Sequence, residues 1–248
     1  MAARSGSDDL HFQLGPGFPA SGGQQGSRRD ARNAWLIAMQ EIRPADLSGE
    51  AAYKLLCAVV VPRPIAWIST RSASGLSNLA PFSCFTFVSH RPPMLGVSIG
   101  RRADGFKDTA RNIHETQEFV VHIGDETLLD SLHRSGAEYP PEVSEAEQLG
   151  LELLPSKLVA PMRVAQAPIA MECRLHKVVD FGNNQFFVGE IQLFHIREGL
   201  AVDNKIDTAR LRPVARLGGP NYSTLGEIIG MTPQAEQSGP RKSTVGWG

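Results

Sequence analysis

The chain has 248 residues, 42% of them hydrophobic and 21% charged, with a formal net charge of −1. That length and composition fit one large domain or two small ones with a proper core. The near-neutral balance offers no basic field to nucleic acid or an anionic membrane, and no apolar run approaches the roughly 20 residues that span a bilayer.

Residues 1–38 are rich in Gly, Ser, Gln and charge, lack periodicity and are expected to be disordered. They include GPGFPASG (15–22), which has no strand before it and no helix after it, so it is loop composition and not a dinucleotide fingerprint. The N-terminus has no apolar signal-peptide core, which points to a cytoplasmic setting. The folded unit is expected over 39–230, with a loose tail over 231–248.

Within that unit the main signals are strands. PIAWIST (64–70) runs into the turn RSASG and restarts as SNLAPFSCFTFVS (77–89), a hairpin pattern. PPMLGVSIG (92–100) and EFVVHIG (118–124) follow. PIAMECRLHKVVDF (168–181) and QFFVGEIQLFHI (185–196) flank Gly182-Asn183-Asn184 as a second hairpin. Period-2 reading turns Met171, Cys173 and Leu175 to the core, and Glu172, Arg174 and His176 to solvent or a partner. GFKDTARNIHETQ (105–117) and DETLLDSLHRSG (125–136) have helical spacing. Six antiparallel strands with helices between them make a barrel.

Cys57, Cys84 and Cys173 have no zinc spacing and read as buried small hydrophobes in a reducing compartment. Cys173 and His176 face opposite sides of their strand, so no metal is expected there. There is no G-x-S-x-G elbow and no P-loop. His122 and His195 sit in or at the end of apolar strands and read as satisfied structural histidines.

Two segments suggest a ligand. In RRADGFKDTARN (101–112), basic residues lead into a helix start, where free amides and the dipole favour an anion. The alternative is a solvated basic loop whose helix is merely capped by Asp108. In SNLAPFS (77–83), small residues beside Pro81 would let a flat ring approach a strand edge; the alternative is a bulge at a barrel corner.

Taken together and in order, PRPIAWIST (62–70), SNLAPFSCFTFVS (77–89), PPMLGVSIG (92–100), DGFKDTARNI (104–113) and EFVVHI (118–123) resemble the flavin reductase-like, FMN-binding split-barrel proteins. SGAEYPPEVSEAEQLGL (135–151), VVDFGNNQFFVGEI (178–191) and LRPVARLGGPNYSTLGEI (211–228) resemble that family's later segments. The resemblance implies a six-stranded antiparallel Greek-key split barrel, a homodimer, and FMN near the subunit interface.

By the same resemblance, Trp67, Ser69 and Thr70 border the flavin, while Asn78, Ala80, Pro81, Phe82 and Ser83 meet its ring and ribityl chain. Ser98, Arg101, Lys107, Asp108 and Thr109 surround the phosphate. Arg216 and Tyr222 lie near the open face, where Tyr222 would act as a gate. His122 stands where much of the family has Asn; facing the nicotinamide or substrate pocket, it would alter specificity.

The implied activity is hydride transfer from NADH or NADPH to FMN, with reduced flavin passed to a partner flavin-dependent monooxygenase. A non-enzymatic FMN electron carrier and an FMN-dependent oxidase or oxygenase are the alternatives, because fold alone does not fix function.

Overall fold

The computed structural model describes residues 39–231 except 104 and 141; the expectations for 1–38 and for the tail from 232 lie outside the described residues. Two units are distinguished, 1–46 and 47–248. In the first, a 3-10 turn at Pro44–Asp46 is closed by the Asp46 N–H on the Arg43 carbonyl at 3.0 Å.

The second unit opens with helix α1 (Gly49–Val59), whose start is capped by Ser48 Oγ accepting the Ala51 N–H at 3.2 Å. Strands β1 (Arg63–Pro64), β2 (Ala66–Arg71), β3 (Ser77–Phe82), β4 (Phe85–His90) and β5 (Pro93–Gly100) lead to helix α2 (Asp108–Thr116) and strand β6 (Glu118–Ile123). Helices α3 (Leu129–Arg134) and α4 (Glu145–Gln148) and the short strands β7 (Leu153–Leu154) and β8 (Arg163–Val164) precede the long hairpin β9 (Ile169–Asp180) and β10 (Asn184–Ile196). Short elements finish the unit: β11 (Ala201–Val202), β12 (Lys205–Ile206), α5 (Thr208–Leu211), β13 (Ala215–Arg216) and β14 (Tyr222–Ser223). No helix among the described residues is long and apolar enough to cross a membrane.

Seven strands form one antiparallel sheet in the order β3-β2-β6-β9-β10-β5-β4. The sequence pattern counts six because it runs 77–89 together. The structure breaks that segment at Ser83–Cys84 and sends its halves to opposite edges of the sheet. Two residues can join opposite edges only if the sheet curls on itself, so this connection defines the seam of a split barrel. The Ser98 N–H donates to the Cys84 carbonyl at 2.8 Å and fixes the seam from the β5 side. Pro81 lies one residue before Phe82 on edge strand β3, whose outer side needs no ladder donor.

Alternation along β2 separates two cores. Ala66 and Ile68 face the barrel interior with Leu95, Val97, Phe119 and Phe187, all essentially inaccessible. Trp67 faces outward against Leu79, Leu132 and Val164, beneath α3 and α4. Each buried Val, Leu, Ile or Phe side chain among these contributes roughly 1.5–3 kcal/mol by burial.

Three expectations need correction. Helix α1 was not expected; with no buried residue it leaves no clean apolar stripe to read. Glu172 does not face solvent: the 156–160 loop covers it, and its carboxylate accepts the Lys157 and Leu158 amides at 2.7 and 2.6 Å. Of the cysteines only Cys173 is buried, because Cys84 occupies the seam turn and Cys57 the outer helix.

Candidate functional site

Where the seam opens, a cleft of about 1130 Å³ lies between α1, the ends of β3 and β5, the end of α3 and the β13–β14 hairpin. Among the described residues lining it, Lys54, Arg63, Arg101, Arg102, Lys107 and Arg216 are cationic and Glu50 is acidic. A concave surface of that charge suits an anionic ligand.

At one end, Lys107 is the N-cap of α2, and its own side chain makes no capping hydrogen bond to the helix start. Burial and the neighbouring Arg102 charge hold the Lys107 ammonium below its ordinary pKa. Arg102 Nε is buried without a hydrogen-bond partner among the described residues. Asp108 faces Arg102 at 3.7 Å and also pairs with Arg111, so it steadies the arginine and does not line the cleft. Arg101 pairs with Asp180 and lies 4.8 Å from the Phe106 ring centroid. Ser98 Oγ accepts from Asn184 Nδ2 at 3.1 Å, and the Asn183 carbonyl accepts the Arg101 N–H at 2.8 Å. Two partly desolvated cations, one with an orphaned donor, beside the open amides of a nine-residue helix fit a phosphate monoester.

The floor next to that end is Pro81, Phe82 and Ser83, with Lys107 Nζ 5.8 Å from the Phe82 ring centroid. Arg63 braces it from behind. It is 7% exposed; its guanidinium donates to the Val60 carbonyl at 2.7 Å, the Leu217 carbonyl at 3.0 Å and Ser83 Oγ at 3.3 Å, and also to the Cys57 carbonyl. One side chain thereby ties the end of α1, the seam turn and the 217–219 loop together.

At the other end, Tyr222 lies between Arg216 and His133. Arg216 Nη1 donates to Tyr222 Oη, and His133 Nδ1 is 3.0 Å from the same oxygen.

Of the expected site residues, the cleft brings together Pro81, Phe82, Ser83, Ser98, Arg101, Lys107, Arg216 and Tyr222. The others form a layer behind it. Trp67 Nε1 donates to Ser135 Oγ at 2.9 Å, and Ser69 Oγ donates to the Met162 carbonyl. Thr70 Oγ1 accepts from Asn112 Nδ2 at 3.0 Å. With its amide oriented to satisfy both ends, Asn78 accepts from Thr109 Oγ1 at 2.9 Å and donates to Glu145 Oε1 at 3.2 Å, joining β3 to α2 and α4. Ala80 packs on the barrel core.

His122 does not reach the cleft. It is fully buried; Nδ1–H donates to the Trp67 carbonyl at 2.9 Å and Nε2 accepts the Val164 amide at 3.0 Å. Burial lowers its pKa to about 4, so both nitrogens serve the packing of β2, β6 and β8. As a residue facing the nicotinamide it is therefore corrected; its place is structural. Arg63, His133 and Asn184 also line the cleft, as does Arg102 of the basic 101–112 segment. Arg102 carried a usable signal in lying beside Arg101, whereas Arg63 depends on a contact across 154 residues and His133 on one across 89.

The flavin reductase like domain family matches residues 59–209. An uncharacterized protein of Halalkalibacterium halodurans, BH2278, is 39% identical over 198 residues, covering 77% of this chain and 95% of its own. Nitrilotriacetate monooxygenase component B from Bacillus cereus is 35% identical with a TM-score of 0.77, covering 79% of this chain and all of that one. The 2-nitrobenzoate 2-nitroreductase NbaA of Pseudomonas fluorescens is 32% identical with a TM-score of 0.74, covering 81% of this chain and all of that one.

Proposed function

The chain belongs to the flavin reductase-like family, and on that premise we propose that it is an FMN-dependent NAD(P)H:flavin oxidoreductase. The observation that carries this reading is the pairing of Lys107 with the orphaned Nε of Arg102 at the open start of α2. FMN, when bound, supplies a ring able to accept a hydride from NADH or NADPH.

In this reading Lys107, Arg102, Arg101 and Ser98 hold the phosphate. Pro81, Phe82 and the Ser83 hydroxyl support the ring. Thr109, Asn78 and Thr70 fix the helix start from behind, and Asp108 aims Arg102. Trp67, Ser69 and Ala80 keep β2 and β3 in place under the ring. Arg216 and Tyr222 border the face on which the nicotinamide would lie. A protein of this kind needs position and exclusion of water more than an acid–base pair, which fits a cleft whose described charged residues are mostly cationic.

Two partner assignments belong to the same proposal. Leu56 and Val59 on α1 and Phe87 on β4 are 60–80% exposed, and other residues of α1 line the cleft. A second copy of the chain covering these faces would make a homodimer with the flavin near its interface. Likeness to a monooxygenase component supports delivery of reduced flavin to a partner monooxygenase. A second reading, direct reduction of a small aromatic substrate, is favoured by likeness to the nitroreductase.

The test is an absorbance spectrum of the purified protein, followed by anaerobic addition of NADH or NADPH with FMN present. Rapid bleaching by one nucleotide supports the reductase and names its donor. Bound flavin bleached only when an aromatic substrate is turned over favours the second reading. Absence of saturable FMN binding overturns both.

A further inference from the structure

Tyr222 Oη is held from two sides. Arg216 Nη1 donates to it, Arg216 Nη2 is anchored on the Gly219 carbonyl at 2.8 Å, and the guanidinium carbon lies 4.5 Å from the tyrosine ring centroid. From the other side comes His133 Nδ1 at 3.0 Å, with the two rings edge to face at 5.7 Å and 87°.

A guanidinium can only donate, so the hydroxyl's one hydrogen is left for His133. With a neutral imidazole protonated on Nε2, Tyr222 O–H donates to His133 Nδ1 and offers no hydrogen to the cleft. A proton on Nδ1 turns the histidine into a second donor. The phenol oxygen then accepts from both neighbours, and its own hydrogen must leave that line and turn to the cleft, which both residues border.

We propose that His133 is a positioning residue whose protonation switches Tyr222 into a hydrogen-bond donor for an acceptor oxygen on the cleft's second ligand. This rests on the reading of that ligand as a nicotinamide nucleotide, whose carboxamide supplies such an oxygen. Charged groups stand near His133 on several elements. Arg216 approaches from the β13–β14 hairpin. On α3 itself, Asp130 is paired with Arg134 at 3.5 Å. In the 3-10 turn before α3, Glu126 is paired with Arg212. Strand β3, which also packs on α3, contributes no charged side chain. Lys54, Glu50, Arg63, Arg101, Arg102 and Lys107 line the same cleft.

Two measurements test this. The first needs no ligand: long-range proton–nitrogen NMR of the full chain across pH 8 to 5. It should show His133 as the Nε2–H tautomer at high pH, with the Tyr222 ring signals shifting as His133 titrates. An Nδ1–H tautomer at high pH, or Tyr222 signals that ignore the titration, overturns the switch.

The second is the dissociation constant of NAD+ over the same range. Affinity should rise about five- to tenfold on acidification in the unmodified protein, the effect of one added hydrogen bond. It should be flat in His133→Asn and in Tyr222→Phe. The phenylalanine variant separates the switch from simple charge attraction, since an imidazolium would attract the nucleotide with or without the phenol; a pH response retained there overturns the proposal. If NAD+ fails to bind at every pH, the nicotinamide reading falls and the role for His133 toward that ligand falls with it, while the NMR titration still reports the hydroxyl's behaviour.

Discussion

Arg63 Nη2 donates to the Leu217 carbonyl at 3.0 Å, joining residues 154 apart in sequence. Because the same guanidinium also serves the Val60 and Cys57 carbonyls at the end of α1, it closes that helix as well as the cleft wall. Arg63→Ala should lower stability by roughly 2–4 kcal/mol, since it strands several carbonyls around a nearly buried site. Arg63→Lys should recover less than half of that loss, because an ammonium cannot reproduce a planar fork. Denaturant midpoints of the two variants decide it; a fully stable lysine variant would show that charge alone suffices.

Lys107 is partly desolvated beside a second cation, and in the proposed reading a bound anion relieves that cost. Burial and the Arg102 charge hold its ammonium below the ordinary pKa, outweighing the opposing pull of the Glu138 carboxylate. Lys107→Ala should therefore weaken FMN binding by roughly 1.5–3 kcal/mol, the worth of one charge-assisted contact. It should leave the ligand-free protein at least as stable as before. Opposite responses of affinity and stability are the signature; an unchanged FMN dissociation constant removes Lys107 from the site.

How far the sequence reached follows from which interactions are local. The β9–β10 hairpin was legible because its turn and alternation lie in one segment. The cationic end of the cleft was legible because Arg101, Lys107 and the helix start lie close together in the chain. The seam was not: Ser83–Cys84 has the same apolar surroundings as a continuous strand, and only the partners of each half reveal the break. Glu172 looked solvent-facing because the amides that bind it come from a loop some 15 residues away. His122 was read correctly from its apolar strand as a satisfied structural histidine. The family pattern then pulled it toward the cleft, although period 2 on β6 and the Trp67 carbonyl hold it in the outer layer.

Gly189 sits on β10 at a register shift against β9. A Cβ there would lie 2.3 Å from Phe119 Cζ, and that ring is fully buried in the barrel. The ring has nowhere to move without displacing its neighbours, so Gly189→Ala should cost roughly 1–3 kcal/mol by overpacking. Gly189→Ala combined with Phe119→Leu should be less damaging than the two changes added together. Thermal melts of the single and double variants measure the coupling, and simple additivity would place the ring elsewhere.

The buried imidazole of His122 links stability to pH. Burial lowers its folded pKa from an ordinary 6.5 to about 4. Above 6.5 both the folded and the unfolded chain carry it neutral, and its contribution is fully present. As pH falls from 6.5 toward 4, the unfolded chain takes up a proton that the folded chain refuses, so stability is lost at up to about 1.4 kcal/mol per pH unit. The total over that window is on the order of 3 kcal/mol. Glu172 adds to acid sensitivity only lower down. Its own burial would raise its pKa, but the Lys157 amide, His195 and the Leu158 amide outweigh this and hold it below the ordinary 4.5. The two effects are therefore separable between pH 6.5 and 5. His122→Asn leaves a neutral amide at the junction of Trp67 and Val164 and should flatten the unfolding free energy across that interval, whatever its absolute stability. A variant with the full wild-type slope would assign the proton uptake to another group.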